Sequence, residues 1–461
     1  MIVTKRGISG LIVEIIICMV LHFWIESGSS GYSAWIVQIN VVILVLAIQQ
    51  IAVMKFSTGK LLHFSSIFIG FAYLFLLSYQ YLILISYDFG SMSYGIPTAR
   101  YGIDTYMWAC NFATEAIQFL YTGILFGICV KGKEKSGKSM INTDSRICAL
   151  RFQRFGRVLL ILAFIANIYQ LYYGLSNNIY QGTGALDSTG ILITLVNYIA
   201  YTLLPACMLL VYQNRNYVLY RNTLSSVYIV FEIILMMTGV RAQHIINIII
   251  FIYFYYSAVQ KLRLRTILLG VIAAFCMLYV ITVIRYGRSS GNYVLALSSA
   301  GGNILLNTMS EFGFTINTLC IAKQAGFEHM TGGQFLFSIL SVIPKSKTLW
   351  NEFALNNNVY DALNLYRYGS SFVTDIYFDF AEYASIIFVI YGLFVQKLTG
   401  FFERNLANGN ILRVVLIAPF LTRVLFTVRT SCVNLPRLFV WILVYMLFIF
   451  LVSKRIKFGN Y

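Results

Sequence analysis

Twelve predominantly apolar stretches, each near the length of a membrane-crossing helix, follow one another along this chain: 8–25, 34–54, 63–87, 105–130, 156–173, 190–212, 222–240, 243–260, 266–284, 383–398, 410–428 and 438–453. A helix needs about 20 such residues to cross the hydrocarbon core. In lipid every backbone N–H and C=O must find its partner inside the protein, which leaves only helices and closed barrels. These runs lack the alternation of barrel strands. The expectation is an all-α polytopic membrane protein of about 12 transmembrane helices with one large external loop bearing short helices. Composition supports it. Apolar and aromatic residues make up 59% of the 461 residues and charged ones 11%, against about 25% charged in soluble domains. Too little polar surface exists to cover the chain in water. Five prolines exclude a proline-rich stalk.

The net charge of +17 comes from 34 Lys and Arg against 17 Asp and Glu. In a soluble protein that balance suggests nucleic acid. Here it has a topological reading. With the N-terminus cytoplasmic, 23 of the 34 basic residues fall on cytoplasmic segments and 10 on external ones, while Arg423 lies inside a span. The positive-inside rule then places both termini in the cytoplasm, in a multi-pass protein of the bacterial inner membrane with no nucleic-acid partner. Eleven of the 17 acids lie on the opposite, external side or at its rim. Polar chemistry is expected there. Lys5 and Arg6 before an apolar run resemble a signal peptide, but no small-residue cleavage site follows, so the run reads as the first span. Eight cysteines show no CxxC and no histidine at metal-ligand spacing. No metal site and no cofactor is expected.

The chain divides into membrane helices 1–9 over 1–284, a large external loop over 285–382, and membrane helices 10–12 over 383–461. The longest cytoplasmic loop, about 131–155, is basic and carries no Walker motif or dinucleotide fingerprint. This argues against ATP-driven transport and against a nucleotide-sugar donor bound in a cytosolic Rossmann domain. A loop of nearly 100 residues is a functional feature where most connections run to about 12 residues or fewer. Its aromatic content argues against disorder. Segment 301–324 reads as an amphipathic helix or helix–turn–helix carrying Glu311, and 334–344 as a second short helix on the membrane.

Four constellations carry candidate chemistry. Arg241 and His244, after Gly239–Val240, sit on one face at a helix start, where amides and dipole favour an anion. Arg241 suits bidentate phosphate recognition; its alternative is snorkelling to lipid headgroups. Arg285 and Arg288 flank Tyr286–Gly287 where span nine leaves the membrane, as a pyrophosphate grip or an interfacial anchor. Arg367 and Tyr368 open a segment that enters span ten with Asp375, Tyr377, Asp379 and Glu382. The three acids recur at helical spacing and need a cation, an arginine or a polar cavity. Their alternative is capping and pairing with Arg367 or Arg429. Arg423 lies on span eleven and Arg429 just past its end, six residues on. An arginine at the depth of Arg423 faces a cavity or a partner, as do the intramembrane acids Glu14, Glu115 and Glu232.

Gly369–Ser370–Ser371–Phe372–Val373–Thr374–Asp375–Ile376–Tyr377–Phe378–Asp379–Phe380–Ala381 resembles the loop-end pattern of the Wzy-type O-antigen polymerases, with Asp375 in the acid position, Tyr377 in the Tyr, Asp379 in the Asn and Phe380 in the Phe. Ala381 and Ala384 stand where that pattern has glycine. Gly239–Val240–Arg241 and an acid-bearing external helix such as that around Glu311 are similar to family features. The resemblance implies metal-independent glycosyl transfer on the outer face. The growing glycan on undecaprenyl pyrophosphate passes to a hydroxyl of an incoming lipid-linked repeat unit, building O antigen or a related surface polysaccharide. Partners so implied are undecaprenyl-pyrophosphate-linked glycans, membrane lipid, and a chain-length regulator and flippase of the same pathway.

For that chemistry Arg241, His244, Arg423 and Arg429 are expected to meet the pyrophosphate charge, and Asp375 or Glu311 to take the hydroxyl proton. Arg285, Arg288, Arg367, Tyr368, Tyr377 and Asp379 join the substrate-binding set. The competing functions are a flippase of lipid-linked oligosaccharides, which the long loop disfavours, and an O-antigen ligase.

Overall fold

The structure is a computed structural model. It describes residues 2–3, 5–27, 31–60, 62–86, 97–131, 145–176, 191–236, 241–260, 265, 270, 279–280, 283, 304–325, 332–343, 370–432 and 435–453. The chain forms two compact units, Met1–Ser136 with Leu305–Gly400 and Thr427–Asn434, and Gly137–Ile304 with Phe401–Phe426 and Leu435–Tyr461.

The first unit contains α1 (Lys5–Ser27), α2 (Tyr32–Thr58), α3 (Phe64–Leu84), the short α4 (Pro97–Tyr101) and α5 (Ile103–Cys129). Loop helices α11 (Ile304–Gly313), α12 (Ile316–Ala325) and α13 (Gly333–Leu340) follow, then α14 (Phe372–Phe380) and the first part of α15 (Ala384–Ala407). Helix α1 shows how such a unit is built. Its lipid-side residues Ile12, Val13, Ile16 and Val20 are exposed, while Gly7, Gly10, Glu14 and Leu21 are buried. The hidden stripe is the small and polar one, because lipid satisfies an apolar surface and packing does not need it. A Cβ at Gly10 would meet Ser57 Oγ of α2 at 2.7 Å. Glu14, 0% exposed, accepts from Gln49 and from Gln50 Nε2 (3.2 Å) of α2 and from Cys18 Sγ (3.4 Å). Tyr73 Oη of α3 donates to Gln50 Oε1 (3.0 Å) and Tyr121 Oη of α5 to Gln50 O (2.7 Å), so one polar knot ties four helices.

Glycines let α5 and α15 cross in near backbone contact. A Cβ on Gly123 would run into the carbonyl of Val389, and one on Gly392 into the carbonyl of Leu120. Strands β1 (Ile2–Val3) and β2 (Val130–Lys131) pair antiparallel. The chain before α1 and the chain after the fourth long helix thus meet, as four crossings require.

The second unit contains α6 (Ser145–Ser176), α7 (Ile191–Ala200), α8 (Leu203–Gln213), α9 (Val218–Leu235), α10 (Arg241–Ala258), the end of α15, α16 (Ile411–Phe426) and α17 (Leu435–Ser453). The sixth expected span is a broken helix. Pro205 has no N–H to offer the carbonyl of Tyr201 four residues back, and its ring crowds that carbonyl, so the helix parts at Tyr201–Thr202. Asn167 Nδ2 of α6 donates to the Ala200 carbonyl at 3.1 Å, one of the groups the break sets free.

Among the described residues nine helices are long and apolar enough to cross a membrane. They match nine of the twelve expected spans. Two more of the twelve are helices here: α10, whose start carries Arg241, Gln243 and His244, is less apolar, and α16 is only 16 residues long. The remaining one, 266–284, lies almost wholly outside the described residues. The described part of 301–324 forms two helices, α11 and α12, joined at Phe314–Thr315, and α13 begins one residue before 334–344 and ends within it.

Candidate functional site

In the first unit, α14 positions the acids. Ser371 caps it, its Oγ accepting from Thr374 N at 3.1 Å. Asp375, on the buried face of its first turn, is 2% exposed. Its Oδ2 accepts from Cys432 N (2.6 Å) and Ser431 Oγ (3.0 Å), and its Oδ1 faces Ser370 Oγ at 3.4 Å. Ser370 N donates to Arg429 O (3.1 Å) and Phe372 N to Thr427 O (2.8 Å). The start of α14 therefore grips the turn 427–432 at several points, and that turn carries Arg429. Burial and the adjacent Asp375 carboxylate push the Cys432 thiol up from its ordinary value, so it stays protonated and unreactive.

Asp379, one turn on, has a different task. Its Oδ1 accepts from Gln334 N (3.1 Å) and its Oδ2 from Phe335 N (2.9 Å), while its carbonyl accepts from Gly332 N (3.1 Å). It caps α13 from outside that helix. The expected three-acid face ends here. The backbone turns at Ala381 (φ 41°, ψ −107°), a short 3₁₀ turn follows, and Glu382 is exposed instead of continuing the face of Asp375 and Asp379. Positive φ strains a residue with a Cβ. Ala381 is one of the two positions where the family-like pattern has glycine.

Glu311 is half-buried on α11. Ser78 Oγ of α3 donates to Met309 O at 2.8 Å, and a Cβ on Gly313 would lie 2.8 Å from Tyr79 N, so α11 is pressed onto α3. The Phe75 ring of α3 lies 4.7 Å from that of Phe312, and Arg429 Cζ lies 5.6 Å from the Phe75 centroid. The neighbour of Glu311 and the guanidinium of Arg429 thus converge on one aromatic ring. Tyr377 contacts Trp108 (4.9 Å) and Phe112 (5.1 Å), and Lys323 Nζ sits 4.7 Å from the Trp108 ring.

In the second unit the polar groups gather on α10. Arg241 is its first described residue. Arg423 on α16 is 8% exposed. Its Cζ lies 3.7 Å from the centroid of the Tyr201 ring, at the break of the sixth span, and its Nη2 donates to Gln243 Oε1 at 3.3 Å. Among the described residues no carboxylate pairs with it. A guanidinium taken out of water and held by a π face and a neutral amide keeps its full positive charge. His244 meets Glu232 of α9, Nδ1 to Oε2, at 2.6 Å.

Arg285, Arg288, Arg367 and Tyr368 lie outside the described residues. Of the other sequence candidates, Glu311, Asp375, Tyr377, Asp379 and Arg429 fall in the first unit, and Arg241, His244 and Arg423 in the second. Tyr201, Gln243 and Trp108 escaped the sequence reading. Pro205 inside an apolar run was the signal for Tyr201, and a glutamine beside Arg241 for Gln243.

These elements define a class, the polytopic α-helical membrane proteins that bury arginines and carboxylates on broken and glycine-packed helices. Within it the family model of the O-antigen polysaccharide polymerase Wzy matches residues 12–458, nearly the whole chain, and the protein belongs to that family. Membership makes it a multi-pass protein of the bacterial inner membrane with a role in O-antigen polysaccharide polymerisation. No curated protein and no solved structure matches it.

Proposed function

We propose that this protein joins undecaprenyl-pyrophosphate-linked oligosaccharide repeat units on the outer face of the membrane. The anomeric carbon–oxygen bond to the pyrophosphate breaks and a bond to the acceptor hydroxyl oxygen forms. The hydroxyl proton passes to a carboxylate, and undecaprenyl pyrophosphate leaves. The observation that carries this reading is Arg423, a buried guanidinium with no carboxylate partner among the described residues, held in place by Tyr201 and Gln243. Such a group gains most from an anion with two accepting oxygens, and pyrophosphate is one. It meets charge that develops on the leaving group, where preorganised donors act most strongly. Arg241 and His244 belong to the same polar end of α10.

Of the two carboxylates expected to take the proton, Glu311 is half-buried on α11 and Asp375 is 2% exposed, its Oδ2 accepting from Cys432 N and Ser431 Oγ. In this reading Glu311 takes the proton and Asp375 holds the turn of Arg429. The side-chain cations supply the charge in this reading, so chelators leave the reaction unchanged. The distribution of basic residues supports a cytoplasmic N-terminus, and the pairing of β1 with β2 puts that terminus beside the start of the basic segment 131–155.

The test is the surface-polysaccharide ladder of cells with and without this gene. The polymerase reading expects deletion to leave a single repeat unit on the lipid core. Loss of every repeat, the single one included, replaces it with flipping or ligation.

A further inference from the structure

Glu232 takes no part in the reaction as written, yet it is among the most buried charged residues of the chain, 1% exposed on α9. An isolated carboxylate at that depth is costly and is kept where it has a task. Its partners come from one turn of α10. His244 Nδ1 lies 2.6 Å from Oε2, and Asn247 Nδ2 donates to Oε1 at 3.2 Å. His244 and Asn247 are three residues apart, so they share a face and close on the same carboxylate. Both carboxylate oxygens and one ring nitrogen are thereby used. Among the described residues His244 Nε2 makes no hydrogen bond. The residue before it, Gln243, is the one that holds Arg423.

We propose that Glu232 is a positioning residue that fixes the His244 ring through Nδ1 and so presents Nε2 to an oxygen of the substrate's pyrophosphate. This rests on the reading that the polar end of α10 receives that group. A carboxylate behind a histidine selects which nitrogen faces inward and stops the ring from turning over. With a proton on each nitrogen, the ring donates once to Glu232 and once to a phosphate oxygen. Asn247 holds the carboxylate against rotation. Without Glu232 the ring keeps its place in the sequence and loses its orientation.

The experiment separates the two ring nitrogens. Asparagine reproduces the donor of Nδ1 and lacks anything at Nε2, whereas glutamine reaches the Nε2 position and abandons Nδ1. The full-length protein in proteoliposomes, supplied with a lipid-linked repeat unit, is compared as wild type, His244→Asn, His244→Gln, Glu232→Gln and Glu232→Leu, with rates divided by the amount of inserted protein. The expected result is that His244→Asn inserts normally and loses polymer formation about tenfold or more. His244→Gln keeps part of the rate. Glu232→Gln, which still offers an acceptor oxygen, outperforms Glu232→Leu. A His244→Asn protein as active as wild type overturns the proposal and leaves Glu232–His244 as a clamp between helices. A wild type that forms no polymer overturns the polymerase reading itself.

A second measurement covers variants that fail to insert. A chain with His22, His63 and His329 replaced, first checked to form polymer like wild type, is labelled with ¹⁵N at the remaining imidazole and placed in nanodiscs. Undecaprenyl pyrophosphate is expected to move the Nε2 resonance and leave Nδ1 in place; an unmoved Nε2 overturns the assignment.

Discussion

Replacing Arg423 tests the reasoning most directly. Methionine is the informative substitute, because it fills similar apolar volume and removes the charge and the fork. Two losses fall on the folded protein. The Tyr201 contact at 3.7 Å is worth about 2 kcal/mol when desolvated. The Gln243 hydrogen bond at 3.3 Å adds about 1 kcal/mol. Methionine regains part of this, because it needs no partner where a guanidinium did. The larger loss falls on the substrate. A bidentate grip on phosphate oxygens is two charge-assisted bonds of about 1.5–3 kcal/mol each. At about 1.4 kcal/mol per tenfold change, Arg423→Met is expected to lower the rate by about two to four powers of ten. Arg423→Lys keeps the charge, loses the fork, and falls between. The assay is polymer formed per unit of folded protein from a defined lipid-linked repeat unit in proteoliposomes, with the folded fraction measured by size-exclusion chromatography. An Arg423→Met rate within about threefold of wild type refutes the argument, since one lost charged hydrogen bond alone costs more.

Four further outcomes are expected. Gly392→Val lowers the yield of folded protein, because its side chain meets the Leu120 carbonyl, while Gly70→Ala, with open space around it, is neutral in the same thermal-shift assay. Asp379→Ala uncaps α13 and costs about 1–2 kcal/mol of local stability, read as faster hydrogen exchange at Gln334 and Phe335, with Asp379→Asn milder. Ala381→Gly relieves the positive φ and raises thermal stability by about 1 kcal/mol; no change means the turn is not strained. Glu311→Gln slows turnover more than Asp379→Asn does, and equal rates assign the proton to another group.

The helices were legible because lipid writes its demand residue by residue, as runs of apolar side chains of fixed length. What lies between helices was not, for a physical reason. Pairing across space depends on rotation of each helix about its axis, and an all-apolar exterior erases the usual moment that reports it. So Glu232 was visible as a buried acid, but that its partner is His244 was not. Asp375 and Asp379 were visible as one face. That one holds a turn and the other caps a distant helix depended on contacts 56 and 45 residues along the chain. Ala381 is the instructive case. The family-like pattern marked the position as glycine, and the backbone there has the conformation glycine favours, although the chain places alanine in it.

The knot around Glu14 bears on how the chain is made. Helix α1 leaves the ribosome before α2, and α2 brings Gln49 and Gln50, the two amides that satisfy the carboxyl. Until then α1 carries a lone acid at mid-span, where a comparable charged residue costs about 2.5–3.5 kcal/mol on insertion scales. The first helix is thus a poor passenger alone and a good one in company. Its transfer into the bilayer becomes coupled to synthesis of the second, and the two enter as a hairpin whose registry is set by which glutamines meet the acid.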